Sequence, residues 1–185
     1  MEGDNHYKEI IDSPLYQSYR VDGNVFAGEY PGDKYGEKAE TKLNQMFHFG
    51  VRHFVDLTEE GELTPYVDLL PADCTYNRFP IRDVSVPKSV DEVGKLIDKM
   101  KGLSRQDDGY VYIHCWGGVG RTGTIVACYL AEQMENPTAN KALAKLRCLF
   151  SAMPKSAHRV TPETKEQEAF VAKYVEVIKG KRLVN

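Results

Sequence analysis

Residues 111–124 read VYIHCWGGVGRTGT, and this stretch decides how the rest of the chain is arranged. The apolar run at 110–113 predicts a buried strand, and the apolar residues at 124–133 predict a buried helix. A glycine-rich turn joins them, and its glycines permit unusual backbone angles and close approach of a ligand. Backbone N–H groups and the dipole of the following helix then point into the turn. The stretch therefore predicts a binding site for an anion.

A cysteine and an arginine stand at the two ends of this turn, which we call the cysteine loop (residues 115–121). The thiolate form of cysteine is a nucleophile, and a helix N-terminus and an arginine both favour it. Arg121 offers a planar fork of donors that can hold two oxygens of a phosphate or sulfate. Thr122 is placed to hydrogen-bond the Cys115 sulfur, and His114 to orient the loop from behind through its ring N–H. These residue types predict an oxyanion that Cys115 attacks.

The order His-Cys-x-x-Gly-x-x-Arg-Thr, at residues 114–122, resembles the signature loop of the cysteine-dependent tyrosine and dual-specificity phosphatases. The resemblance covers roughly residues 24–149, and it implies a small phosphatase of the dual-specificity type with a phosphocysteine intermediate. It implies that Cys115 is the nucleophile and that Arg121 binds the phosphate, with no metal or other cofactor. The residues that it implies hold the substrate are His114, Trp116, Gly117, Gly118, Val119, Gly120 and Thr122.

Other interpretations of the cysteine loop are weaker. A glycine turn with a buried structural cysteine would not need the surrounding His, Arg and Thr. A redox pair would need a second cysteine within the loop, and a zinc site would need more Cys or His at ligand spacing than His114-Cys115 supplies. A phosphate-binding pseudoenzyme would keep the anion site and lose the nucleophile or the acid, and it is disfavoured because Cys115 and Arg121 are both present.

The composition narrows the class of protein further. A chain of 185 residues is most simply one domain with a sizeable core. Its net charge of −3 provides no general attraction to nucleic acid or to an anionic membrane, so neither partner is expected. The N-terminus lacks the apolar core of a signal peptide, and no apolar run approaches the ~20 residues of a membrane span. We expect a cytoplasmic, reducing location; the oligomeric state stays open.

Strand-like and helix-like segments alternate along the chain, which favours an α/β domain with a mainly parallel central sheet flanked by helices. Residues 1–20 are polar and are expected to form an irregular lead-in. Strands are predicted at 24–28, 51–57, 75–81 and 110–113. Helices are predicted at 39–49, 64–70, 89–103, 124–133, 138–150 and 161–179, with Ser89 and Thr161 as N-caps.

A departing alkoxide or phenoxide needs a proton, and the donor must come from another segment near the site. Residues 79–87, which we call the acid loop, leave the end of a predicted strand, where ligands bind on open α/β sheets. Its Pro-Ile-x-Asp pattern also resembles the acid loop of dual-specificity phosphatases, which implies that Asp83 is the general acid. The alternative is a turn carboxylate that caps Ser85 or pairs with Arg82.

Three further features have less certain roles. Asp56 and the glutamates at 59, 60 and 62 compete with Asp83 for the role of the acid. The acidic loop at 58–63 also follows a predicted strand, so we expect it to border the site in a structural role, such as pairing with a loop arginine. Many relatives place a Gln on a late helix to position the hydrolytic water, which implies this role for Gln167; an exposed helical Gln is the alternative. Arg159 is a candidate for a further oxyanion contact.

The remaining cysteines are expected to be structural. Cys128 and Cys148 lie in predicted amphipathic or buried helices and are expected in the core. Cys74, the only loop cysteine besides the nucleophile, does not match the place expected for a redox partner of Cys115.

The expected substrate is a phosphorylated protein or another phosphomonoester. Residues 116–120 carry no Lys or Arg, which favours a single phosphate, as on phosphotyrosine or phosphoserine/threonine, over a phosphoinositide. A small-molecule, phosphoinositide or RNA 5′-phosphatase of the same mechanism stays open as the alternative.

Overall fold

The computed structural model describes residues 12–33, 38–105 and 108–184. They form one five-stranded sheet with helices on both faces. The strands are β1 (Ser18–Asp22), β2 (Val25–Gly28), β3 (Val51–Asp56), β4 (Thr75–Arg78) and β5 (Tyr110–His114). The α-helices are α1 (Ala39–Phe49), α2 (Val90–Ser104), α3 (Gly120–Glu132), α4 (Ala139–Phe150) and α5 (Lys165–Val184). Short 3₁₀ turns cover Val67–Leu69 and Pro154–Ala157.

The strand that precedes the cysteine loop lies at the centre of the sheet. The strand order is β1-β2-β5-β3-β4, and every pairing is parallel except the antiparallel pair of β1 and β2. Residues 111–113 of β5 are fully buried, as expected for a parallel strand covered on both faces. The predicted α/β fold with a mainly parallel sheet is confirmed.

Side chains of β5 alternate between two apolar cores. Val111 and Ile113 pack with the inner faces of α2 to α5, while Tyr112 points to the opposite face and packs with Leu43 and Met46 of α1. The second core is rich in aromatic rings, and it extends up to the carboxyl end of β5. Both cores therefore support the segment from which the cysteine loop departs.

The prediction of an irregular lead-in at 1–20 is wrong for its last residues. Residues 18–22 form β1, an edge strand whose Tyr19 and Val21 are buried against the helices while Arg20 and Asp22 stay partly exposed. This alternation is too short to be distinguished by sequence from an irregular polar segment. Residues 1–11 lie outside the described residues.

Two helices begin at other residues than predicted. Helix α3 begins at Gly120, four residues before the predicted start, so Arg121 lies in its first turn. Helix α5 begins at Lys165 and runs to Val184, and the hydroxyl of Thr164 accepts a hydrogen bond from Gln167 N at 3.1 Å. Thr161, the predicted cap, instead donates to Val119 O at 2.7 Å and so holds the cysteine loop.

The other helices and strands begin and end close to the predicted residues, apart from two segments. Ser89 is confirmed as the cap of α2, because its hydroxyl accepts a hydrogen bond from Glu92 N at 3.3 Å. The predicted helix at 64–70 is only a 3₁₀ turn, and the strand predicted at 75–81 ends at Arg78. Within the part of the chain that the structure describes, no helix is long and apolar enough to cross a membrane.

Candidate active site

The carboxyl ends of three parallel strands converge where the cysteine loop begins. In the sheet register, His114 of β5 lies between Gly28 of β2 and Asp56 of β3. Cys115 follows directly and is only 3% exposed. The loop then turns into the N-terminus of α3, so the predicted strand, turn and helix arrangement is present at the edge of the sheet where α/β domains bind ligands.

Close backbone packing gives the cysteine loop its shape. Gly118 has a φ of 71°, and a Cβ placed there would lie 2.8 Å from Glu29 N and closer still to the carbonyl group of Gly28. Only glycine fits this position without strain. Lys155, which sequence reasoning missed, donates from Nζ to Gly117 O at 2.8 Å and so braces the loop from the turn after α4.

Arg121 is buried, and its guanidinium is held by three residues from two loops. It donates from Nη1 and Nη2 to the two carboxylate oxygens of Glu62, at 2.8 and 2.7 Å. It also donates from Nη1 to Ile81 O at 3.1 Å, and Nη2 forms an ion pair with Asp83 Oδ1 at 2.8 Å. The fork is therefore oriented before any phosphate arrives.

The acidic loop at 58–63 pairs with the cysteine loop as expected. Its Glu62 carboxylate is the bidentate partner of Arg121, and it also accepts a hydrogen bond from Glu59 N at 3.0 Å. Burial by itself raises the pKa of Glu62, but the hydrogen bonds from Arg121 and from the backbone outweigh it and bring the pKa below its ordinary value.

Asp83 lies across the cleft from Cys115, on the acid loop. Its side chain is 54% exposed, and its ion pair with Arg121 decides against the alternative pairing with Arg82. The next residue, Val84, has a φ of 54°, a strained conformation for a β-branched residue. The acid loop therefore reaches the cysteine loop at the predicted carboxylate.

His114 lies behind the loop in a buried polar network. Its Nδ1 is 3.2 Å from Cys115 O, and its Nε2 is 2.7 Å from the hydroxyl of Tyr66. Burial lowers the pKa of His114, opposed by the nearby Asp56 carboxylate. His114 thus orients the loop from behind, as predicted. Its partner Tyr66 carried no signal in the sequence, because the contact spans 48 residues.

The prediction for Thr122 does not hold in this structure. Its Oγ1 is buried and has no hydrogen-bond partner, the Cys115 sulfur included, among the residues that the structure describes. The side chain begins on the first turn of α3, and the geometry there brings it near no acceptor.

Gln167 and Arg159 differ in whether they line the cleft. Gln167 is fully buried, so the alternative of an exposed helical Gln is wrong, and its Nε2 donates to Ser85 O of the acid loop at 3.0 Å. Arg159 lines the cleft, where it forms an ion pair with Glu163.

The cleft above Cys115 has a volume of about 490 Å³. Trp116, 40% exposed, lies at its edge. The segment after α4 adds the basic side chains of Lys155, His158 and Arg159 to the lining, whereas residues 116–120 carry no Lys or Arg. The lining includes Asp83, Cys115, Trp116, Gly117, Val119, Gly120, Arg121, Lys155, His158 and Arg159, together with Glu29 and Glu163.

All four cysteines are free thiols. Cys128 is buried, as predicted, whereas Cys148 is exposed, because it lies on the outer face of α4. Cys74 packs on the aromatic core at the face of the sheet opposite to the helices that contact Cys115. Among residues 12–33, 38–105 and 108–184, no group of three His, Cys, Asp or Glu side chains could hold a metal ion.

The arrangement can do a definite piece of chemistry. The Cys115 thiol, the cysteine loop, the Arg121 guanidinium and the Asp83 carboxylate line one cleft. Such a set suits the attack of a thiolate on a tetrahedral oxyanion and the protonation of a leaving group.

Comparison with known proteins gives the same class of chemistry. Residues 35–171 match the family model described as the Swiss Army Knife protein, DSP-PTPase phosphatase domain. The chain is 29% identical over 168 residues to the putative tyrosine phosphatase 067L of Invertebrate iridescent virus 3, covering 85% of this chain and 64% of the viral protein. It is 39% identical over 114 residues to the putative tyrosine phosphatase 197R of Invertebrate iridescent virus 6, covering 58% of this chain and 41% of that protein. The chain thus spans less than two thirds of the length of either relative.

The fold is shared with solved phosphatase structures. The crystal structure of Tk-PTP in its active form superimposes with a TM-score of 0.70 at 24% identity, over 86% of this chain and 97% of that one. The family model covers well over half of the present sequence. The chain therefore belongs to the family of dual-specificity and tyrosine phosphatase domains.

Proposed function

We propose that this protein hydrolyses phosphate monoesters on phosphotyrosine or phosphoserine/threonine of proteins through a phosphocysteine intermediate. Cys115 is the nucleophile, Arg121 and the loop N–H groups bind the phosphate, and Asp83 is the general acid. One observation carries the proposal: Cys115 and Arg121 of the cysteine loop meet Asp83 of the acid loop in one cleft, with Asp83 Oδ1 2.8 Å from Arg121 Nη2.

In the proposed reaction, an incoming phosphate replaces the Asp83 carboxylate at Arg121 Nη2, while Glu62 keeps the other face of the fork in place. The Cys115 thiolate attacks phosphorus, the S–P bond forms and the P–O bond breaks. Asp83 gives its proton to the departing oxygen, and then takes a proton from the water that hydrolyses the phosphocysteine. Positioning and electrostatic stabilisation supply most of the rate, because the transition state is loose and rich in charge.

The substrate class rests on the cysteine loop and on its surroundings. Residues 116–120 contain no Lys or Arg, which favours a single phosphate over a multiply phosphorylated inositol ring. One observation favours a second candidate, a phosphoinositide or another ligand with a further anionic group: His158 and Arg159 line the same cleft. We place the activity in the cytoplasm, where the thiol of Cys115 stays reduced.

A substrate panel tests the substrate class. We expect kcat/KM to be highest for phosphotyrosine or phosphothreonine peptides and lower for a phosphoinositide and for an RNA 5′-phosphate. A preference for the phosphoinositide, lost in Arg159→Ala, would select the second candidate.

Cys115→Ser tests the nucleophile. The serine hydroxyl stays protonated without a nearby base, so turnover should vanish while the fold and the binding of a phosphopeptide persist. Circular dichroism and calorimetric titration check the two controls, and robust multiple turnover by this variant would contradict the mechanism.

Asp83→Asn tests the general acid. We expect kcat/KM to fall by roughly 10²–10⁴-fold on an alkyl phosphate and far less on a nitrophenyl phosphate, whose leaving group needs no proton. The wild-type profile of kcat/KM against pH should be bell-shaped, and the variant should lose its alkaline limb. An equal deficit on both substrates would point to another acid, with the loop at 58–63 as the next candidate.

A further inference from the structure

Gln167 makes three hydrogen bonds that tie the acid loop to the start of α5. Its Oε1 accepts from Glu163 N at 2.9 Å and from Thr164 N at 3.2 Å, and its Nε2 donates to Ser85 O at 3.0 Å. Two N–H donors on one side and a carbonyl acceptor on the other fix the orientation of the amide. The side chain is fully buried, so these bonds are shielded from water.

The same amide packs against the cysteine loop. A Cβ at Gly120 would lie 3.0 Å from Gln167 Nε2, which is closer than ordinary contact. Gln167 therefore touches the acid loop, the cysteine loop and the first turn of α5 at once. It does not line the cleft, whereas Asp83 and Gly120 do.

The acid loop has a local reason to need an anchor. Val84 lies between Asp83 and Ser85 with a φ of 54°, which a β-branched residue adopts only at a cost. Ser85 N donates to Arg82 O at 3.1 Å and closes the turn, and Ser85 O is the acceptor for Gln167. The bond from Gln167 thus holds the strained turn from its far side, two residues from the proposed acid.

We propose that Gln167 positions Asp83 by holding the carbonyl of Ser85 in the acid loop. In this role Gln167 does not orient the hydrolytic water. The inference rests on the proposed function, because it assumes that Asp83 is the general acid. Without the anchor the turn relaxes and the carboxyl moves away from the leaving oxygen. Misplacement by about 1 Å is enough to reduce the rate by as much as ~10²-fold.

The two roles affect different steps. A misplaced acid slows cleavage of the P–O bond, so kcat/KM falls, and falls most for a basic leaving group. A misplaced water slows hydrolysis of the phosphocysteine, so kcat falls equally for every leaving group, kcat/KM is preserved and a burst of leaving group appears.

The sharpest variant is Gln167→Glu. A carboxylate at this position keeps both acceptors for the N–H groups of Glu163 and Thr164 but cannot donate to Ser85 O. The matched control is Thr164→Ala, which removes the hydroxyl that accepts from Gln167 N and leaves the bond to Ser85 O in place. Gln167→Met, which keeps the length of the side chain and removes the donor, replaces the first variant if a buried carboxylate prevents folding.

The measurement is kcat/KM for an alkyl phosphate and for a series of aryl phosphates whose phenols differ in acidity. For Gln167→Glu or Gln167→Met we expect a deficit of about 10-fold to 100-fold on the alkyl phosphate that shrinks to less than about 2-fold on the most acidic phenol. Thr164→Ala should show a lower Tm and the leaving-group dependence of the wild type. In a double variant with Asp83→Asn, the Gln167 substitution should cause no further fall in kcat/KM, since both substitutions affect the same proton transfer.

Two results would overturn the inference. One is a preserved kcat/KM with a burst, which would assign Gln167 to the water. The other is a fall in kcat/KM for the Gln167 variants that is equal for all leaving groups, although the fall caused by Asp83→Asn still depends steeply on the leaving group. If Asp83→Asn itself shows no leaving-group dependence, the proposed acid is wrong, so the failure of the proposed function is distinguishable from that of the Gln167 inference.

Discussion

At the scale of single residues, the most constrained group is the Arg121 guanidinium. It is buried, and Glu62, Ile81 and Asp83 all contact it. A planar group with divergent donors can bind two carboxylates and a carbonyl at the same time. A lysine ammonium has one point of attachment and no fixed plane, so it cannot hold this set of partners in the same geometry.

Arg121→Lys should therefore be almost as inactive as Arg121→Ala. We expect kcat to fall by at least about 100-fold in both variants, the loss typical of removing one oriented donor to an oxyanion. Steady-state kinetics on a phosphopeptide measures it, with Arg159→Lys as a control for loss of a guanidinium at the edge of the cleft. Near wild-type turnover by Arg121→Lys would show that positive charge alone suffices.

At the scale of secondary structure, the cysteine loop keeps its shape between β5 and α3 because it packs on the end of β2. Gly118 approaches the Gly28 carbonyl so closely that a side chain has no room. Gly117, its neighbour, is different, since a Cβ there would meet only Val119 Cγ2, at an ordinary 3.7 Å. Adjacent glycines in one loop thus have different structural demands.

Gly118→Ala should destabilise the fold far more than Gly117→Ala. Overpacking of this kind costs about 1–3 kcal/mol, and the left-handed backbone at position 118 adds about 1–2 kcal/mol for a residue with a Cβ. Urea denaturation of both variants measures the difference in the free energy of unfolding. Equal losses would mean that the loop moves away from Gly28 without cost.

At the scale of the whole molecule, the buried network behind the loop links the stability of the fold to pH. His114 is fully buried, and burial lowers its pKa from the ordinary 6.5, with Asp56 acting in the opposite direction. The unfolded chain therefore binds this proton at a higher pH than the folded protein does. The contribution of a neutral His114 to stability is present above about pH 6.5 and is lost as the pH falls towards the lower pKa of the folded state.

We expect the free energy of unfolding to decrease between pH 7.5 and pH 5.5, by at most about 1.4 kcal/mol per pH unit from this residue. His114→Gln removes the titrating group, so its stability should vary less over that range, even if it is lower at pH 7.5. Urea denaturation at several pH values compares the two proteins. An identical slope in both would assign the pH dependence to other groups.

The sequence by itself determined the features that depend on neighbours along the chain. Apolar periodicity located β3, β5 and the long helices, and the glycine spacing with Cys115 and Arg121 located the cysteine loop. The strand ends then located the acid loop, since parallel strands bring their carboxyl ends to one edge, and the resemblance to dual-specificity phosphatases implied Asp83 within it. The same rule placed the loop at 58–63 at the border of the site.

Only the tertiary structure decided what depends on contacts between distant segments. The bond from Tyr66 to His114, the brace from Lys155 to Gly117 and the bond from Gln167 to Ser85 join residues 38 to 82 positions apart. A tyrosine, a lysine or a glutamine with such a role has no local pattern of its own. Its role arises when folding buries one polar group and brings another within hydrogen-bond distance, because burial makes an unpaired polar group costly.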